Sequence, residues 1–197
     1  MNQRRRIKVF GSGVKDSIMV PQTPIIARNN CKIGKWTINS KEYQGRNQIA
    51  ILKVSKLFGS FGETKNTLWG QVWFVCEEGS LPKQVVLVTY LKKRSLLSLL
   101  EIMTLIRLNK AEPASGIFSP IFVSQSASKS RRRYYVLEWE WEGLPGRERQ
   151  LERYAKVLAN ESKLMIEPTW TRNMICLDGM SSWKAEMAVS DFIKKNK

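Results

Sequence analysis

Alternation of apolar and polar residues marks out the strands of this chain. Residues 47–57 alternate roughly with period two, setting Leu52 and Val54 on one face and Lys53 and Ser55 on the other. Gly59-Ser60-Phe61-Gly62 is expected to break this strand. A second strand is predicted over 68–76, with Leu68, Val72, Phe74 and Cys76 facing one way and Trp69, Gln71, Trp73 and Val75 the other. A third, over 84–91, is dense in Val and Leu and reads as buried on both faces. The clearest helix spans 95–109. Leu96, Leu99, Leu100, Met103 and Ile106 follow helical spacing, while Leu97, Leu105 and Leu108 make the apolar arc too wide for a helix covered on one side only. Strands are predicted again over 117–124 and 134–141, joined by a polar and then basic loop over 125–133.

The flanks are less regular. Residues 1–30 are basic, carry Gly11, Gly13, Pro21 and Pro24, and show no sustained periodicity. They read as an arm, either a disordered terminus or a phosphate-binding segment. Residues 31–38 could form a short strand leading in. After a break at 143–146, an amphipathic helix is predicted over 147–160, with Leu151, Tyr154, Ala155 and Leu158 inward and Arg147, Arg149, Arg153 and Lys156 outward. A short helix is expected over 181–193. The expected division is a basic N-terminal arm (1–30), a central domain (31–145) and a C-terminal helical extension packed on it (146–197). The class is mainly β with helices (α+β). Three strands, a helix and two more strands follow the element order of a five-stranded, OB-like Greek-key barrel, with its helix between strands 3 and 4.

Charge adds a direction. The chain has 33 Lys and Arg against 17 Asp and Glu, a formal net charge of +16. Solubility alone asks only ~2–8 of a small domain, so a polyanionic partner is the economical explanation. Residues 1–60 hold 12 basic and 2 acidic side chains, and a second basic focus runs over 129–133. Cys31, Cys76 and Cys176 are too few and too scattered for a disulfide scaffold or a zinc site. The absence of histidine removes Ser-His and Cys-His nucleophile pairs, the common zinc ligand sets and the commonest general base. Arg4, Arg5 and Arg6 are not followed by the apolar run of a secretory signal, and the apolar stretch at 95–108 is interrupted by Glu101 and Arg107. A cytoplasmic protein, associated with the nucleoid or a plasmid and without membrane, metal or cofactor, is expected.

Single strands are held by a basic groove and by aromatic rings on which bases stack. Trp69 and Trp73 flank Gln71 on one strand face, which reads either as an exposed stacking platform or as core. Lys129, Arg131, Arg132 and Arg133, followed by Tyr134, form a candidate clamp or an ordinary hairpin tip. Lys53, Lys56 and Lys65, interleaved with Phe58 and Phe61, surround the connection between the first two strands. Lys92, Lys93 and Arg94 open the predicted helix, where cations are unfavourable and an external anion would relieve them. Glu138, Glu140 and Glu142 share a face that is expected to be solvated or neutralised by cations such as Lys53. As a magnesium site they are too spread, at roughly 13 Å along a strand.

In element order, charge and aromatics, residues 45–141 resemble the single-stranded-DNA-binding proteins of bacteria, phages and plasmids. The resemblance implies sequence-tolerant binding of single-stranded DNA in replication, recombination or plasmid and phage maintenance, without catalysis. Those proteins usually end in an acidic tail that recruits partners. The last residues here are Lys194-Lys195-Asn196-Lys197, so recruitment of that kind is not expected. Strand annealing or RNA binding is the nearest variant. A basic structural subunit of a larger nucleoprotein complex, or a homo-oligomer, docked through the 95–109 helix is the alternative.

Overall fold

The computed structural model describes residues 18–21, 23–126, 133–166 and 173–196. Four short strands come first: β1 (Ile25–Ile26), β2 (Arg28–Asn30), β3 (Lys35–Ile38) and β4 (Lys41–Tyr43). The turn between β3 and β4 puts Asn39 at φ 47° and Ser40 at φ 67°, the doubly left-handed geometry that suits a two-residue hairpin and that asparagine tolerates. Two long strands follow, β5 (Gln48–Phe61) and β6 (Thr64–Glu78), then β7 (Val86–Lys92) and helix α1 (Lys93–Leu108). After a 3-10 turn at Pro113–Ser115 come β8 (Gly116–Ser126), β9 (Arg133–Gly143), helix α2 (Glu148–Ile166), β10 (Met174–Cys176) and helix α3 (Ser182–Lys195).

The strands build a seven-stranded sheet in the order β1-β7-β6-β5-β8-β9, with β10 added along β5, and a separate sheet β2-β3-β4. β1 runs parallel to β7, and the other ladders are antiparallel. This overturns the five-stranded barrel. The architecture is α+β with an open mixed sheet, and no ladder joins β7 to β9. The free edge of β7 is taken by β1 and by the Ala27 amide, which donates to the Val88 carbonyl at 2.8 Å. The start of β9 instead meets the turn after β2, where the Tyr135 amide donates to the Cys31 carbonyl at 2.8 Å. Residues 25–30, read from sequence as part of an arm, thus contribute strands to both sheets, and residues 1–17 and 22 of that arm lie outside the described region.

Gly59 does not break its strand. A Cβ there would lie 2.0 Å from the Asn173 carbonyl oxygen, so the glycine lets the β10 segment lie against β5 while β5 continues to Phe61. The chain reverses at Gly62, whose φ of 58° suits glycine.

Both faces of the central strands are covered. On one, Val72, Phe74, Cys76, Leu87 and Leu91 pack with Leu96, Leu99 and Ile106 of α1 and with Trp36 and Ile38 of β3. On the other, Leu57, Trp69, Trp73, Val75, Val88 and Tyr90 pack with Met174 of β10 and Tyr154 of α2. α1 is covered on one side only, contrary to the sequence expectation, and Leu97, Leu105 and Leu108 stand exposed on its outer face. Arg147, read as outward-facing, points inward. Its guanidinium donates to the Gly116 carbonyl at 3.0 Å and pairs with Glu77, which also accepts from the Tyr154 hydroxyl. That cluster fastens the start of α2 to β6. No helix among the described residues is long and apolar enough to cross a membrane.

Candidate nucleic-acid interface

β7 ends where α1 begins, so Lys92, Lys93 and Arg94 sit at the junction of the sheet edge and the helix N-terminus. The helix has no side-chain cap and no acidic residue in its first turn, so no side chain of its own offsets the positive end of its dipole. Lys93 occupies a left-handed backbone conformation, φ 49°, which is uncommon for a residue with a Cβ. Lys93 and Arg94 are exposed. Lys92 turns back instead: its ammonium lies 5.1 Å from the centre of the Trp69 ring and donates to the Thr64 hydroxyl beside the β5–β6 turn.

Three other segments converge on this corner. Ser95 in the first turn of α1 accepts the Leu137 amide at 3.0 Å through its hydroxyl, which holds the first half of β9 beside the helix start. The Cys31 turn lies between them. Burial pushes the Cys31 thiol up, while a hydrogen bond with Ser95 and the charge of Lys92 pull it partly back. Gly34 in that turn packs so closely on the Tyr135 ring that a Cβ would approach within 2.7 Å. Lys32 on the turn and Arg133 and Tyr134 at the start of β9 are exposed, with Tyr134 43% exposed. Lys32 escaped the sequence reading because only the fold carries it next to β9 and α1. Lys65 is exposed on the same β5–β6 hairpin as Thr64. Lys129, Arg131 and Arg132 lie outside the described residues.

On the α1 side of the sheet, Lys56 stands directly opposite Gly70, against which Leu96 of α1 packs, and Lys56 is exposed. Phe58, two residues on, is buried under α3, its ring 6.0 Å from Phe192. It is a helix anchor rather than a free ring. Phe61 is half-buried and packs edge-on to Trp69 at 5.6 Å and tilted against Tyr90 at 5.0 Å. Lys53 is half-buried, paired in register with Trp73, and stands apart from this corner.

The Trp69–Gln71–Trp73 platform is not present as an open surface. Trp69 is 4% exposed, Trp73 3% and Gln71 0%. The Trp69 indole donates to the Gly59 carbonyl at 3.3 Å. Gln71 lies in register between Ser55 of β5 and Tyr90 of β7, and its amide donates to the Tyr90 hydroxyl at 2.8 Å. Burial pushes Tyr90 up to about 12, the Gln71 bond offsetting part of the rise. The glutamine marks an internal polar row rather than a solvent face, because β10 and α2 cover a side of the sheet that local alternation alone would leave wet.

Glu140 pairs with Arg46, not with Lys53, and no group of three or more metal-ligating side chains occurs among the described residues. Compared with protein-family models, curated proteins and solved structures, the chain matches none.

Proposed function

We propose that this chain binds single-stranded nucleic acid without strong sequence preference, DNA in the first instance, and acts as a binding protein rather than an enzyme in replication, recombination or plasmid and phage maintenance. One observation carries the reading. Lys93 and Arg94 are exposed at the uncapped, positive end of α1, which has no acidic side chain in its first turn, and Lys32, Lys65 and Arg133 are exposed on the three segments that meet that end through Cys31, Thr64 and Leu137. Cations at that end of a helix oppose the macrodipole and repel one another, and a phosphate backbone relieves both effects at once. Tyr134 is the exposed ring at this corner on which a base could stack. The reading places the protein in the cytoplasm, on nucleoid or plasmid DNA.

The test is a salt-titrated binding assay on the purified chain with single-stranded DNA, duplex DNA and RNA. Neutralising five or six phosphates gives a log–log salt slope near −4, at ~0.7 per contact on single strands. A slope near zero, or no binding at low salt, refutes the proposal; tighter binding to duplex or RNA moves it to that partner. The exposed Leu97, Leu105 and Leu108 favour a second reading, in which α1 docks this basic module into a larger nucleoprotein assembly.

A further inference from the structure

Helix α3 has no buried residue along its 14 positions. Its inner side, Ala185, Ala188, Val189, Phe192 and Ile193, is half-buried, anchored by the Phe192–Phe58 contact. Its outer side carries Trp183, 59% exposed, and Met187, 57% exposed, continued by Ser190 and Lys194, with Met180 exposed just before the helix. Those four helical positions recur at i, i+4, i+7 and i+11 and so form one line along the helix. An outward tryptophan and methionine in line are unlike a solvated helix face, and they have the composition of an interface centre.

Charge selects the occupant. Lys184 and Asp191 lie seven positions apart on the same flank of this line. Both are exposed, and neither forms an ion pair among the described residues. Lys184 rests over its own Trp183 ring at 5.7 Å. When two identical helices pack antiparallel about a twofold axis, each flank meets the same flank of its mate. The register that sets Lys184 level with Asp191 of the second copy also sets Asp191 level with the second Lys184. It brings the two Met187 side chains together at the axis. Each Trp183 then falls between Ser190 and Lys194 of the mate, large against small and ring against cation, within about 3 Å along the axis at 1.5 Å rise per residue. A single register satisfies all of these pairs.

We infer that the outer face of α3 is a self-association surface, on which a second copy of this chain docks as an antiparallel helix pair. Glu186 lies on the other flank with no cation across from it, and each copy carries +16. The contact is one helix long, below the ~1,200 Å² of a standard interface. The product is therefore a concentration-dependent dimer, not an obligate one.

Sedimentation equilibrium of the full chain, without nucleic acid, from micromolar to near-millimolar concentration tests this. Wild type should move from monomer to dimer. Lys184→Asp or Asp191→Lys, each placing like charges opposite at both ends of the pair, should weaken dimerisation by about tenfold or more. The double variant Lys184→Asp/Asp191→Lys restores both pairs and should return the constant to near wild type. Trp183→Ala should abolish the dimer, with far-ultraviolet circular dichroism unchanged in all four variants. A wild type that stays monomeric throughout, single charge variants that associate like wild type, or a double variant that fails to recover each overturns the inference. So does a dimer broken by Leu97→Lys on α1 but untouched by the α3 variants. None of these outcomes depends on whether the chain binds nucleic acid.

Discussion

Lys93 is where stability and the proposed function pull in opposite directions, and replacing it by glycine separates them. Its left-handed backbone, φ 49°, costs a residue with a Cβ roughly 1–2 kcal/mol. Glycine removes that cost but returns about 0.5–1 kcal/mol through its freer unfolded chain. Taking a cation from the uncapped positive end of α1 adds about 0.3–1 kcal/mol. The net expectation for Lys93→Gly is a gain of about 1 kcal/mol, or roughly 2–4 °C in Tm for a chain of this size. Lys93→Ala keeps the left-handed strain and loses only the charge, so its gain should be the smaller electrostatic part. Both variants should flatten the salt slope on single-stranded DNA by about 0.7, one phosphate contact. Urea unfolding followed by tryptophan emission, and fluorescence anisotropy of a labelled oligonucleotide across a salt series, read the two effects. A loss of stability in Lys93→Gly refutes the strain argument. An unchanged slope in both variants removes Lys93 from the binding surface.

Trp73→Ala should cost about 3–5 kcal/mol in urea unfolding, as for an aromatic deleted from a packed core, while the folded fraction binds oligonucleotide as wild type does; a binding defect without destabilisation would restore the platform. Glu77→Ala should lower stability by about 3 kcal/mol, because it leaves Arg147, 8% exposed along its side chain, as an uncompensated buried cation; the same unfolding measurement with no loss would refute that role. Tyr90 ionises near 10 in the unfolded chain but only at about 12 when folded. The folded state therefore holds its proton more tightly, and stability present below pH 10 should decline as pH rises from about 10 to about 12. Tyr90→Phe should remove that part of the alkaline decline in a pH series of denaturation midpoints, and an identical decline in the variant would assign it to other groups.

The parts of the fold that were legible in the sequence are those with a strong local period. The three central strands and α1 stand close to where alternation and helical spacing put them, because Val, Leu and Phe at positions 72, 74, 86, 87 and 88 leave little choice of partner. Of the four short strands only β3 (Lys35–Ile38) falls where a strand was expected, within 31–38; β1, β2 and β4 were not legible. They are two or three residues long, shorter than any period can declare, and they exist because β1 finds the β7 edge while β2 and β4 pair with β3. Gly59 misled for a related reason. A glycine signals a special backbone need, and only the approach of Asn173, far along the chain, reveals that the need is close packing and not a turn.

The candidate site divides along the same line. Lys93, Arg94 and Lys65 stand exposed, but the aromatic half of the expected site is internal. Polar residues at 53, 55 and 71 imitate a wet strand face, since alternation cannot distinguish a solvated row from a buried one. Ser55, Gln71 and Tyr90 are such a buried row, opposite one another across three strands, with the Gln71 amide bonded to the Tyr90 hydroxyl. Arg147 was misread by the same route, because its partner Glu77 is 70 residues away. The Gln71–Tyr90 bond, tied across the sheet, fixes the register of β6 against β7: a slip of one residue would turn Gln71 away from Tyr90 and strand a buried amide. The register in turn sets Trp69 opposite Lys92, and so fixes where β7 ends and where the basic first turn of α1 begins. The buried row thus acts on the candidate interface from a distance, by placing its cations rather than by touching the strand they would hold.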